Sequence, residues 1–286
     1  MLNVRLRRLL SLALATCVVM APARTSSAQI AAAPTSAAAQ AADDDDAVLD
    51  PIEPDFRVVD LPTTARLPRG KGNFALTHRF AGNLRRGSFS DNASHLFGID
   101  EGATVGFEYR FGIARHLEAV AYRMSFNQTI QLYAKYDALH EGNSTPVSVS
   151  ALLSDEGVNN YQDNHAPALG LTVSRKLGDV AAVYVVPTWV HNSAAGIGTT
   201  LNTTYVGIGS RVRIRPTVYF AAEVSPRVSG YKPGSNQFGF ALEKRAGGHM
   251  FQLNFTNTFG TTFAQIARGA SPRSLSLGFN LSRKFY

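Results

Sequence analysis

The chain has 286 residues, 17% of them charged and 45% hydrophobic, with one cysteine and a formal net charge of +7. Mean hydropathy is −0.06, and after Ala28 no run of eighteen apolar residues occurs, which excludes a helical membrane protein. Arg5, Arg7, Arg8 and Arg24 belong to a predicted leader whose loss lowers +7 to +3, so the charge supports no argument for nucleic-acid binding.

The first 28 residues predict a secretory signal peptide. Arg5, Arg7 and Arg8 form its basic start, Leu9 to Met20 its apolar core, and Ser26-Ser-Ala28 its cleavage site. Cys17 lies inside it, leaving the mature chain without a thiol. Leu14-Ala-Thr-Cys17 is a poor lipoprotein box, because the apolar run continues past the cysteine. Residues 29–71 are rich in Ala, Pro and Asp and predict a flexible periplasmic tail, since so few large apolar groups cannot offset the entropy of ordering. Its run Asp43–Asp46 lacks the spaced ligands of a calcium loop and reads as solvated charge. Val58 and Val59 are expected to pack on a barrel mouth.

From Gly72 onward, segments of about ten residues alternate with turn signals, the length of a tilted transmembrane strand. Twelve are predicted: 73–81, 104–112, 117–126, 129–137, 146–154, 168–176, 180–190, 204–214, 217–225, 236–244, 249–257 and 273–285. The connections nearly alternate between short and long, as periplasmic turns and extracellular loops do. Residues 117–154 fit that rhythm least well. The fold expected for 72–286 is all-β: an antiparallel up-and-down transmembrane barrel of about twelve strands.

Period-two alternation assigns the faces. Val105, Phe107, Tyr109 and Phe111 point to lipid, and Gly106, Glu108 and Arg110 inward. The same pattern turns Arg211, Arg213, Glu223 and Glu243 inward, because a cation facing mid-membrane lipid costs about 2–4 kcal/mol. Leu275, Leu277, Phe279 and Leu281 share one face of the last strand, which ends on Phe285 and Tyr286. Phe279, Leu281, Phe285 and Tyr286 are therefore expected to form the signal read by the barrel-assembly machinery. The usual register keeps the final aromatic in phase; here Phe285 is in phase and Tyr286 is one beyond.

Five stretches carry a family resemblance: Phe74-Ala-Leu-Thr-His-Arg-Phe80, Leu96-Phe-Gly-Ile-Asp100, Pro187-Thr-Trp-Val-His191, Gly247-Gly-His-Met-Phe-Gln-Leu-Asn-Phe-Thr-Asn257 and Gly278-Phe-Asn-Leu-Ser282. From about Leu61 to the C-terminus the chain resembles the bacterial barrel family called domain of unknown function 5777. The resemblance implies an outer-membrane β-barrel in a Gram-negative cell. It brings no catalytic residues.

Function must then lie in the lumen, the rim or the loops. Arg79, Glu108, Arg110, Lys135, Arg211, Arg213, Glu223 and Glu243 are the lumen candidates. They suit a narrow passive channel for small, anionic solutes. They equally suit a non-conducting structural or interaction barrel whose charges neutralise one another, Arg211 pairing with Glu223. Gly207, Gly209 and Gly239 leave room for water or relieve a curved wall. A third reading is rim lipid hydrolysis, with His191 activating Ser193 two residues along the same strand face. No enzyme activity, cofactor or metal site is expected, because the other histidines lack ligand spacing. The expected partners are outer-membrane lipid, the assembly machinery and small solutes.

Overall fold

The structure, a computed structural model, describes residues 50–142, 144–194 and 200–286. The predicted leader and residues 29–49 of the predicted tail lie outside them.

All twelve predicted segments are strands, with ends shifted by a few residues. They are β1 (Gly72–Phe80), β2 (Ala103–Ala114), β3 (Leu117–Met124), β4 (Ile130–Leu139), β5 (Ser148–Gly157), β6 (Ala168–Leu177) and β7 (Ala181–Val190). They continue with β8 (Thr203–Arg215), β9 (Val218–Ser225), β11 (Gln237–Ala246), β12 (His249–Thr256) and β13 (Ser276–Phe285). Each pairs antiparallel with its neighbours, and β1 pairs with β13, so the sheet closes. The short β10 (Arg227–Gly230) lengthens β9 beyond Pro226 and pairs with the start of β8. Proline has no N–H for the ladder, but its carbonyl still accepts from Val206 N at 2.9 Å.

The start of β1, the end of β13 and the short turns share one end of the barrel, and the longer loops share the other. The first is the periplasmic end and the second the extracellular end. Register shifts at Gly112/Ala114, Asp137/Leu139 and Arg213/Arg215 all fall near the periplasmic end, as bulges at a barrel rim do.

The alternation that defined the strands also sorts their faces. Phe107, Tyr109, Phe220, Leu242, Phe251 and Leu253 are exposed on the outer wall, while Glu108, Arg110, Glu243, Gln252 and Asn254 are buried inside. Trp189 and Tyr136 are exposed near strand ends, where aromatic belts lie.

Two segments fill the interior. The first is residues 50–68, the reverse of the flexible tail expected there. Ile52, Phe56, Val58, Val59 and Leu61 are each at most 2% exposed. The second comes from the connection between β12 and β13, which turns inward. It carries α2 (Phe263–Arg268), following a first helix, α1 (Phe89–Ser94), in the β1–β2 loop. Thr262 caps α2 through a reciprocal capping box with Gln265, and residues Phe263 to Ala267 are all buried. Val58, Val59 and Leu61 belong to the same apolar cluster as Phe263, Ala264, Ile266 and Ala267.

Candidate functional site

The inserted N-terminal segment is a hairpin. Arg57 pairs with Pro62, Thr63 N donates to Phe56 O at 3.0 Å, and Val58 N to Leu61 O at 2.8 Å. Its tip is therefore Val58–Leu61. Both legs open at the periplasmic end. Asp50 pairs there with Lys176 at 2.5 Å, Pro51 O accepts from Tyr219 at 2.8 Å, and Gly70 N donates to Gly112 O at 2.7 Å. Burial pushes the Asp50 carboxyl up. Hydrogen bonds from Lys176, Ile52 and Glu53 outweigh that, and hold it below its ordinary value.

Wall glycines make room for the tip. A Cβ at Gly207 would stand 2.5 Å from Leu61 Cδ2, one at Gly209 3.3 Å from Val58, and one at Gly239 3.3 Å from Val59. The space these glycines leave holds the plug's apolar side chains.

Lumen side chains grip the hairpin backbone. Glu223 accepts from three consecutive N–H groups, those of Val59 at 2.9 Å and of Asp60 and Leu61 at 3.0 Å each. Gln252 Nε2 donates to Val58 O at 2.6 Å, and Asn280 Nδ2 to Val59 O at 3.0 Å. Arg211 Nη2 reaches Arg57 O at 2.5 Å, and Lys135 Nζ donates to Ala65 O. The hairpin's own charges are also paired. Asp60 meets Arg79 at 2.7 Å, and Arg57 pairs with Glu108 while its Nη1 donates to Thr261 O at 3.2 Å. That last bond joins the hairpin to the inward loop. Buried ions need partners on every side, and the hairpin supplies what the wall alone lacks.

Seven of the eight expected lumen residues are buried in this network. Arg213 is only half-buried, beside the bulge at the rim. The expected pairing of Arg211 with Glu223 is corrected: Arg211 Nε bonds Glu243 at 2.7 Å, which frees Glu223 for the hairpin. Sequence reasoning missed Arg57, Asp60, Glu118, Gln252 and Asn280. Glu118 bonds both Arg110 and, at 3.3 Å, Lys135. Its inward phase with Val120 and Tyr122 was the available signal. On the buried wall, Arg79, Arg110, Lys135, Arg211, Arg227 and Lys284 face Glu108, Glu118, Asp137, Glu156, Glu223 and Glu243. Six cations against six acids make no anion-selecting ring.

His191 and Ser193 are not brought together as base and nucleophile. Ser193 is 0% exposed, and its hydroxyl pairs with Thr203 Oγ1 at 2.7 Å and donates to Leu201 O at 3.1 Å. The turn after β7 has taken the two residues off a common strand face. In the closing strand, Phe285 is exposed, whereas Tyr286 packs against Phe56, Ala65 and Leu67 of the plug.

The family described as a membrane bound beta barrel domain (DUF5777) matches residues 54–285, starting within the plug. The chain belongs to this family. It is a bacterial outer-membrane β-barrel. Its fold is similar to that of the KdgM porin in complex with disordered oligogalacturonate, at 8% identity and TM-score 0.50, covering 75% of this chain and 99% of that one. The NanC porin gives 7% identity and TM-score 0.48 over 75% and 99% of the two chains. An outer membrane channel from Pseudomonas putida F1 gives 12% and 0.47 over 79% and 100%. These solved structures are porins and channels; at 8% identity the KdgM porin carries the fold alone. No curated protein matches the chain in sequence.

Proposed function

We propose that this DUF5777 barrel is a passive channel for small solutes that rests closed, with residues 50–68 as a removable plug. The observation that carries the reading is the route of the hairpin. It enters and leaves through the periplasmic end, so it can withdraw without threading any part of the chain through the barrel. Its grip is largely polar, made by charged and amide side chains that water can solvate once it leaves. The passage so exposed would carry balanced charge, which suits small solutes of low net charge better than the anions expected from sequence.

A second reading, a non-conducting structural barrel, draws on the same filled lumen. Single-channel conductance of the refolded full chain, checked for heat-modifiable mobility, separates them. A channel gives rare openings in the wild type and frequent ones when Glu223→Ala loosens the plug. Silence in both, with the plug shown to be released, would leave the structural barrel. On either reading the chain carries no catalytic chemistry, and Phe279, Leu281, Phe285 and Tyr286 serve as its assembly signal.

A further inference from the structure

At the extracellular end, the loops β3–β4, β5–β6 and β12–β13 enclose two adjoining cavities, of about 580 and 310 Å³. Asn127 and Arg268 line both. Gln128, Asn159 and Asn164 line the larger, and Asn257 the smaller. No carboxylate lines either cavity. With Gln265, which also lines the smaller, four carboxamides face the larger cavity and three the smaller, an unusual concentration of groups that both donate and accept.

The rim is held in place by bonds between loops. Asn159 N donates to Asn127 O at 3.0 Å, and Asn160 N to Gln128 O at 2.9 Å. The Asn160 amide bonds the Gln128 side chain at 2.9 Å, and Arg123 holds the other end of Asn160 at 2.8 Å. Asn127, Gln128, Asn159 and Asn164 all have φ between 48° and 53°, the left-handed region that costs energy for a residue with a Cβ. Among the described residues, the carboxamides of Asn127 and Asn164 have no hydrogen-bond partner. They stand free at a rim whose backbone is fixed.

The single cation is already committed. Arg268 pairs with Glu156 at 3.0 Å and donates to Ser193 O at 3.1 Å, so the cavities offer no spare charge to an anion. Phe126, 40% exposed, lines the smaller cavity and presents an apolar ring.

We infer that this vestibule binds a neutral polyhydroxylated ligand, a mono- or disaccharide. Carboxamides recognise vicinal hydroxyls by donating and accepting in pairs, and the Phe126 ring covers the apolar face of a sugar. The site belongs to the mouth and stands whether or not the plug opens.

The test uses the fluorescently labelled full chain in detergent on an array of neutral and uronic-acid-containing oligosaccharides. Affinities for the hits are then measured by equilibrium dialysis. Neutral sugars should bind. The double variant Asn127→Gly and Asn164→Gly removes both carboxamides yet keeps the left-handed backbone, which glycine adopts freely. It should weaken binding roughly tenfold or more, at about one net hydrogen bond per carboxamide, with heat-modifiable mobility unchanged. Should that variant not fold, the wild-type array still decides. Binding to no sugar, a preference for acidic ones, or full affinity in the folded double variant would overturn the inference. Because binding is read without conduction, a silent barrel that binds sugar would count against the channel and leave this site standing.

Discussion

Glu223→Ala tests the plug most directly. Among the described residues the carboxylate is the sole side chain accepting from the N–H groups of Val59, Asp60 and Leu61, and it also accepts from Gln237 Nε2 at 2.7 Å. Alanine leaves three buried donors unpaired at once. Each costs about 1–3 kcal/mol, so the seated plug loses about 3–9 kcal/mol before water recovers any of it. Even about 3 kcal/mol shifts the seated-to-released ratio roughly a hundredfold. Val58, at 0% exposure, is the reporter. In a Cys17→Ser background, Val58→Cys places one thiol at the hairpin tip, and its maleimide labelling rate follows release. Glu223→Ala should raise that rate roughly a hundredfold, whereas Glu223→Gln, which keeps an acceptor oxygen, should give a smaller rise. An unchanged rate in a folded Glu223→Ala barrel would refute the idea that this carboxylate seats the plug.

Gly207→Leu should act sterically, since its Cβ alone would crowd Leu61. Overpacking of about 1–3 kcal/mol should speed labelling at position 58, and an unchanged rate would show that the tip can shift aside. Thr262→Ala removes the N-cap of α2 at a cost of about 1 kcal/mol, which hydrogen exchange over residues 263–268 should report as roughly fivefold faster. The Asp50 anchor is acid-sensitive. Its carboxyl is held below 3.8, so its contribution is complete above that pH and is lost as the pH falls through the lower value. Exchange of residues 50–53 should therefore rise on acidification, and Asp50→Asn should show the faster exchange already at neutral pH. Ser193→Ala should leave no hydrolytic function to lose; a lipid-cleaving activity abolished by it would contradict the buried hydroxyl.

The strands were legible because a membrane wall imposes one rule on every second residue. Even β3 to β5, where the rhythm of connections was poorest, kept their place. Val105, Phe107, Tyr109 and Phe111 could be turned outward from sequence because lipid tolerates nothing else there. The plug obeys no such rule. Its apolar residues are few, and most of what holds it is backbone bonded to side chains 150 or more positions away, as with Val59 and Glu223. Such contacts leave no period in the sequence. Val58 and Val59, expected on the barrel mouth, lie instead at the hairpin tip deep inside it; the composition around them suggested solvent. The glycines of β8 and β11 were likewise noticed, and their partners lay in a segment that looked unstructured. Pairing among Arg211, Glu223 and Glu243 depended on which neighbour faces the hairpin, a question that arises only once the hairpin is inside.

Tyr286, next after β13, rests on Phe56, Ala65 and Leu67 of the plug, a segment that leads into β1 at the opposite end of the barrel sequence. The seat of the plug is therefore incomplete until β13 has closed against β1. Closure of the sheet is thereby converted into tightness of the seal, so that a barrel left open at that one seam would betray itself by leaking.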